Sequence, residues 1–254
     1  MDNKNWLTRT SNPTLNDKTF AGLPQAGVAG EAMTLQGTIN KSFLLLVVLL
    51  AAALWPWSQY LSGGGLAAIA PAIWIGALGG FALALVISFK ATLAPYLSIP
   101  YAVCEGLAIG GFSAVLEKRY PGIAVQAVGL TFGVMAALLL AYTLGLIHVT
   151  QRFRAIVVGA TGAIMLLYLA TFVLSLFHVA VPILGSATPL GIGVSLVIVC
   201  VAALNLVLSF DLIATGVANR APRYMEWYAA FGLLVTLVWL YLEILRLLGQ
   251  IRQR

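Results

Sequence analysis

The sequence predicts an all-α integral membrane protein, a bundle of seven transmembrane helices with a cytoplasmic N-terminus. Two observations lead there. Hydrophobic residues make up 61% of the 254-residue chain and charged residues only 9%, with a mean hydropathy of +0.99. A soluble domain carries roughly 25% charged residues and at most about half apolar ones. The apolar residues also fall in long continuous runs, interrupted at Ser62–Gly65, Ser98–Pro100, Tyr120–Gly122 and Gly185–Pro189. A closed β-barrel would show alternation instead.

Residues 1–40 read as a polar cytoplasmic tail containing Asn, Thr, Asp and Lys. A signal peptide would bring a short apolar core close to the N-terminus, so the run after Lys41 is expected to serve as an uncleaved signal anchor. The transmembrane domain then covers 41–254. A helix needs about 20 apolar residues to cross the hydrocarbon. The runs between polar or Gly/Pro breaks give spans over about 42–60, 66–89, 96–116, 123–147, 155–177, 189–214 and 225–248.

Lys and Arg on alternate sides set the orientation. With the N-terminus inside, nine lie on the cytoplasmic side: Lys4, Arg9, Lys18, Lys41, Lys90, Arg152, Arg154, Arg220 and Arg223. Five lie outside: Lys118, Arg119, Arg246, Arg252 and Arg254. The loops around Ser62–Gly65 and His178–Thr188 carry neither residue, as outer loops should. The net charge of +6 is spread over span ends and forms no basic stripe, so it expresses topology and not nucleic-acid binding. Cys104 and Cys200 lie inside apolar runs, where a thiol behaves as a small hydrophobe; neither a disulfide nor a stable metal site is expected. Gly76 with Gly80, Gly106 with Gly110, and Gly129 with Gly133 form G-x-x-x-G pairs in spans two, three and four. Such pairs let membrane helices approach closely.

Several segments together resemble a known family. They are SNPTLNDKTF (11–20), MTLQGTINKS (33–42), PYAVCEGLAIGGFSAVLEKRYPGIAVQAV (100–128), AALNLVLSFD (202–211) and APRYMEWYAAFGLLVTLVWLYLEILRLL (221–248). Over essentially the whole chain the sequence is similar to the bacterial Bax inhibitor-1/YccA-like membrane proteins, of the TMBIM superfamily. The resemblance implies seven helices with the last one central, a multi-pass protein of the bacterial inner membrane, and no enzyme activity. For the wider family it implies a pH-sensitive calcium leak controlled by acids on helices six and seven. For the YccA branch it implies modulation of the membrane protease FtsH. Calcium would be a permeant ion, held at most transiently at Asp211, and no cofactor is implied. The branch often carries acids two residues before and three residues after Asp211; here those positions are Ser209 and Ala214.

Three acids fall well inside the expected spans: Asp211, Glu105 and Glu243. An ionised acid at the bilayer centre costs about 2.5–3.5 kcal/mol on insertion scales, so each should face the bundle interior, find a partner or hold its proton. Two acids sharing a site titrate together, and deprotonated they offer the oxygen ligands calcium prefers; protonated, they would close the path. The chief alternatives are structural. Asp211, within about a turn of the inner end of span six, would be balanced by Arg220 or Arg223, and Glu243 would pair with Arg246 at i,i+3. Glu105 has no basic residue within helical reach. At 1.5 Å per residue Glu105 lies roughly 13 Å and Glu243 roughly 27 Å from the inner face. Glu243 therefore falls at the wrong depth to meet Asp211, leaving Glu105 or Glu226 to complete the cluster.

Other classes fit poorly. GGFSA (110–114) approaches a serine-protease motif at Ser113, but Ala114 replaces the glycine and the only histidines, His148 and His178, lie at span ends. Catalysis needs nucleophile, base and orienter together; His148 and His178 read as interfacial residues, either of which could tune a response to pH. No repeat between halves suggests a secondary transporter. The contest is between an ion leak and a protease-binding role for the tail.

Overall fold

The computed structural model describes residues 32–177 and 187–253. Most of the expected tail (1–31), the outer loop 178–186 with His178, and Arg254 lie outside the described residues. The elements are α1 (Leu35–Gln59), a π turn (Tyr60–Gly64), α2 (Gly65–Phe89), a 3-10 turn (Ala91–Leu93), α3 (Ala94–Arg119), α4 (Ile123–Thr143), α5 (Gln151–Leu176), α6 (Pro189–Ala218) and α7 (Met225–Arg252). Among the described residues no strand forms; Ala32 and Pro222 make a single antiparallel bridge.

Six segments are long and apolar enough to cross a membrane. The first, Leu35–Phe89, is 55 residues long and contains α1, the π turn and α2. As a straight rod it would run roughly 80 Å, far more than the ~30 Å hydrocarbon core. It breaks where the sequence suggested, at Ser62–Gly65, because Gly63 (φ 100°) and Gly65 (φ 69°) adopt backbone angles that a side chain disfavours.

The other boundaries refine the expectations. Ser98–Pro100 is not a break but lies inside α3; the interruption falls at Lys90 (φ −131°, ψ 78°) and the 3-10 turn after it. Pro95 occupies the first turn of α3, where its missing N–H is not needed, and the Ser98 hydroxyl donates to the Ala94 carbonyl at 2.7 Å. At α1 the helix begins seven residues before the expected span, because the Thr34 hydroxyl accepts from the Gly37 N–H and caps it. Helix α4 stops at Thr143, short of 147, and the chain turns through Gly145 (φ 69°). Helix α6 continues to Ala218, so Asp211 lies two turns inside it, deeper than the one turn expected.

The chain divides into two compact units. One comprises residues 19–124 and 212–235. Here α3 packs along both α1 and α2, and glycine sets the spacing. A Cβ at Gly106 would lie 2.3 Å from the Leu49 carbonyl oxygen, one at Gly110 2.3 Å from that of Ala53, and one at Gly76 2.5 Å from that of Cys104. Tyr101 meets Phe231 edge-on at 4.8 Å in a core that includes Leu45, Ile69 and Tyr228.

The other unit comprises residues 125–211 and 236–254, with 1–18 outside the described residues. Its interior is more polar: the Asn205 amide donates to the Thr161 hydroxyl and to the Val201 carbonyl, both at 2.8 Å. The third glycine pair falls here, and Gly129 and Gly133 meet nothing within 4 Å among the described residues. Across the chain large apolar side chains such as Phe43, Trp74, Phe81, Leu140 and Phe172 are exposed, which suits contact with lipid. Half of the apolar stretch of α7 is buried, the largest share of the six segments.

The glycine contacts give a direct test. Gly106→Ala and Gly110→Ala are each expected to cost about 1–3 kcal/mol through overpacking, whereas Gly129→Ala should stay within about 0.5 kcal/mol. Thermal unfolding in detergent measures both, and equal losses at all three positions would refute the packing difference.

Candidate functional site

Each acid inside the helices has its own set of partners. Asp211, on α6, accepts from Arg154 Nη2 at 2.8 Å and from the Tyr142 hydroxyl at 3.3 Å. Arg154 belongs to the second turn of α5, and Tyr142 to the end of α4 beside Phe210, 6.2 Å between ring centroids. The pair is only partly enclosed, with 16% of the Arg154 and 21% of the Asp211 side chain exposed. The cation on Asp211 is therefore Arg154, not Arg220 or Arg223 as its position in the sequence suggested. Arg220 instead takes a left-handed backbone angle (φ 51°) just after α6, and the Arg223 carbonyl accepts the Glu226 N–H at the start of α7.

Glu243 is held more completely. Its Oε1 accepts from the Tyr168 hydroxyl at 2.6 Å and from Trp239 Nε1 at 3.2 Å, and its Oε2 accepts from Arg246 Nη1 at 3.0 Å. Arg246 also donates to the Tyr168 hydroxyl at 2.5 Å and stacks its guanidinium 5.2 Å from that ring. The Glu243 side chain is 3% exposed and that of Arg246 37%. The i,i+3 pair read from the sequence is present, with Tyr168 and Trp239 added. Trp239 stands at i−4 on the same helix face and was readable; Tyr168, on α5, was not. Glu243 is thus paired within its own cluster and Asp211 within another, and no contact between them is needed to neutralise either.

Glu226, in the first turn of α7, accepts from the Thr34 N–H at 2.9 Å and the Thr34 hydroxyl at 2.8 Å, and pairs with Lys41. Lys41 also lies 5.5 Å from the Trp227 ring, and the Met33 N–H bonds to the Ala221 carbonyl at 2.6 Å. A Cβ on Gly37 would fall 2.2 Å from Glu226 Oε1, so the absence of a side chain there is what admits the carboxylate. Glu226 therefore secures the entrance of α1 to the start of α7 and has no free oxygen to lend to another acid.

Glu105, on α3, bonds to Tyr101 one turn earlier and rests against α2, where a Cβ on Gly80 would lie 3.0 Å from Oε2. No ion pair reaches it among the described residues. His148 is exposed in the turn between α4 and α5, where its carbonyl accepts the Thr150 N–H. Glu117, which no motif singled out, caps α4 by accepting from the Gly122 and Ala124 N–H groups. Among the described residues no three His, Cys, Asp or Glu side chains gather as a resident metal would require.

The missed residues are Arg154 and Tyr142 at Asp211, Tyr168 at Glu243, and Thr34 and Lys41 at Glu226. The sequence offered one signal for them: Lys41 and Arg154 are cations at the edges of apolar runs, and such groups are kept where a partner exists.

Glu243→Ala would leave the donors of Tyr168, Trp239 and Arg246 without their shared acceptor. It is expected to cost about 2–4 kcal/mol and to lower the melting temperature in detergent more than Asp211→Ala does. The reverse order would contradict the anchoring role of Glu243.

The family model described as Bax inhibitor 1 like matches residues 10–253. No curated protein and no solved structure matches the chain.

Proposed function

The chain belongs to the Bax inhibitor 1 like family, and on that premise we propose that it is a pH-sensitive calcium leak of a bacterial inner membrane, with Asp211 as its sensing acid. The observation that carries this reading is the partly exposed Asp211–Arg154 pair, 2.8 Å apart on helices long and apolar enough to span a membrane. An ion pair in such a place is costly, and charged residues kept within membrane helices mark ion and proton pathways in many proteins. Protonating Asp211 removes the charge that holds Arg154, so proton binding becomes a change of packing between α5 and α6.

This alters the simplest picture of a doubly negative calcium site. Asp211 and Glu243 each carry an arginine, so the two clusters are neutral while ionised. A divalent cation would meet the Asp211 carboxylate only once Arg154 has swung away. Glu243, enclosed by three donor side chains, acts in this reading as the fixed anchor of α7, and Glu105 as a secondary acid. The topology that goes with it has α1 and α2 as separate spans, the N-terminus inside and α7 central, in keeping with the burial of α7.

Reconstituted in vesicles with a trapped calcium indicator, Asp211→Asn is expected to flatten the pH dependence of flux. Arg154→Gln should raise flux at neutral pH, roughly tenfold if the lost pair is worth about 1.4 kcal/mol. An unchanged profile in folded Asp211→Asn would sink the sensing role.

A second reading is that of a non-conducting modulator which engages FtsH through the N-terminal tail. It is favoured by the anchoring of residues 32–41 on Glu226 and Ala221, which gives the preceding residues a fixed point of departure. Deleting residues 1–31 leaves that anchor intact. On the leak reading calcium flux survives the deletion; on the modulator reading protease binding is lost and flux was never present.

A further inference from the structure

Within the unit formed by residues 125–211 and 236–254, α5 and α6 are joined at Thr161, whose hydroxyl accepts from the Asn205 amide at 2.8 Å. They meet again in the buried contact of Ile164 with Ile198. From that contact toward the start of α6, an open groove of about 510 Å³ runs between the two helices. Small-ligand sites occupy roughly 300–1,000 Å³. None of the residues lining the groove carries a polar side chain. Ala163 and Gly193 give it room, Ile164 and Ile198 lie at its base, and Leu190 and Val197 stand exposed at its edge.

Depth and surroundings identify what fills it. Helix α6 has 30 residues and is about 45 Å long, which matches the ~40–45 Å of a bilayer with its headgroup regions. Leu190, in the first turn, therefore lies at headgroup level, and Ile198 about 12 Å deeper, short of the middle of the bilayer. A transmembrane helix would need a face running the whole height of α5 and α6, and this groove ends where the two helices close on the Thr161–Asn205 bond. At its edge the groove is continuous with the lipid-facing surface, where Leu166, Leu169 and Leu196 are exposed. Its lining offers an ordered water none of the polar partners it requires. A flexible hydrocarbon chain entering from headgroup level suits the depth, the lining and the surroundings.

We infer that the groove is a binding site for one acyl chain of a phospholipid in the leaflet on the side where α6 begins. Such a chain gains no hydrophobic energy on leaving bulk lipid. It gains the carbon–carbon contacts that stiffer neighbours would leave unmade. The base of the groove carries the effect inward: Tyr168 and Trp239 pack against Ile164 and Ile198, and both donate to Glu243 Oε1. A chain in the groove thus backs two of the three side chains that hold Glu243, and the lipid braces the anchor of α7.

The experiment uses the full chain with Trp6, Trp55, Trp57, Trp74 and Trp227 replaced by Phe, which leaves Trp239, at the base of the groove, as the sole reporter. Phosphatidylcholine with dibrominated acyl chains is titrated into the detergent-solubilised protein, and bromine in contact with Trp239 quenches its fluorescence. An added Cβ at Gly193 meets nothing within 4 Å, so Gly193→Leu has room to occupy the groove; Gly129→Leu, equally open but on α4, is the control. Gly193→Leu is expected to raise the lipid concentration for half-quenching about fivefold, the worth of about ten carbon–carbon contacts, and Gly129→Leu to leave it unchanged. Added phospholipid should raise the melting temperature of the parent chain and not that of Gly193→Leu. Ala163→Leu takes its place if Gly193→Leu does not fold. Half-quenching at the same lipid concentration in the parent and the groove variant, or equal melting shifts in both, overturns the site. So does a dimer, seen by light scattering, that Gly193→Leu converts to monomer, because a second copy is then the occupant. None of these readouts depends on calcium flux.

Discussion

The interaction on which the rest depends is the neutralisation of carboxylates carried by apolar helices. Hydrocarbon offers a charge neither water nor counter-ions, so an acid there must bring its partner with it. Asp211 takes Arg154 and Tyr142, Glu243 takes Arg246, Tyr168 and Trp239, and Glu226 takes Lys41 and Thr34. Each set draws on at least two helices or on a helix and the segment before it. The acids are therefore also the cross-links of the fold, and the helices cannot slide past one another without breaking a charged contact.

The clusters differ in how much they leave open. Glu226 and Glu243 are almost fully enclosed, with 3% of each side chain exposed, whereas Asp211 keeps 21%. A carboxylate saturated with donors and sealed from water is a poor sensor, because a proton must displace good bonds to reach it. Asp211 has two donors, Arg154 and Tyr142, and the larger exposure. A buried ion pair is costly to assemble and costly to break, and the Asp211–Arg154 pair is the less enclosed of the two arginine pairs on the acid side.

In the unit of residues 19–124 and 212–235 the close packing is between backbones. Around α3 the backbones meet at Gly76, Gly106 and Gly110, a contact that gains in dispersion what membrane helices cannot gain from the hydrophobic effect. The unit of residues 125–211 and 236–254 lacks this feature at Gly129 and Gly133. Its helices are joined by hydrogen bonds such as Asn205 to Thr161.

What the sequence determined by itself are the properties written in local pattern. Apolar run length and the near absence of charge gave the helical membrane class. The glycines at Ser62–Gly65 gave the first break, and i,i+3 spacing gave the Glu243–Arg246 pair. Proline misled at Ser98–Pro100, because proline is tolerated within a membrane helix that neighbours support. Glycine spacing did not distinguish the packed pairs from the open one, since the same motif occurs with and without a facing helix. What only the tertiary structure decided is which charges meet. Arg154 lies 57 residues from Asp211, Tyr168 75 from Glu243 and Thr34 192 from Glu226. Periodicity carries information across one or two turns of a helix, and contacts between helices are fixed by the fit of whole surfaces, so Asp211 was legible as a charge that needed a partner while the partner itself was not.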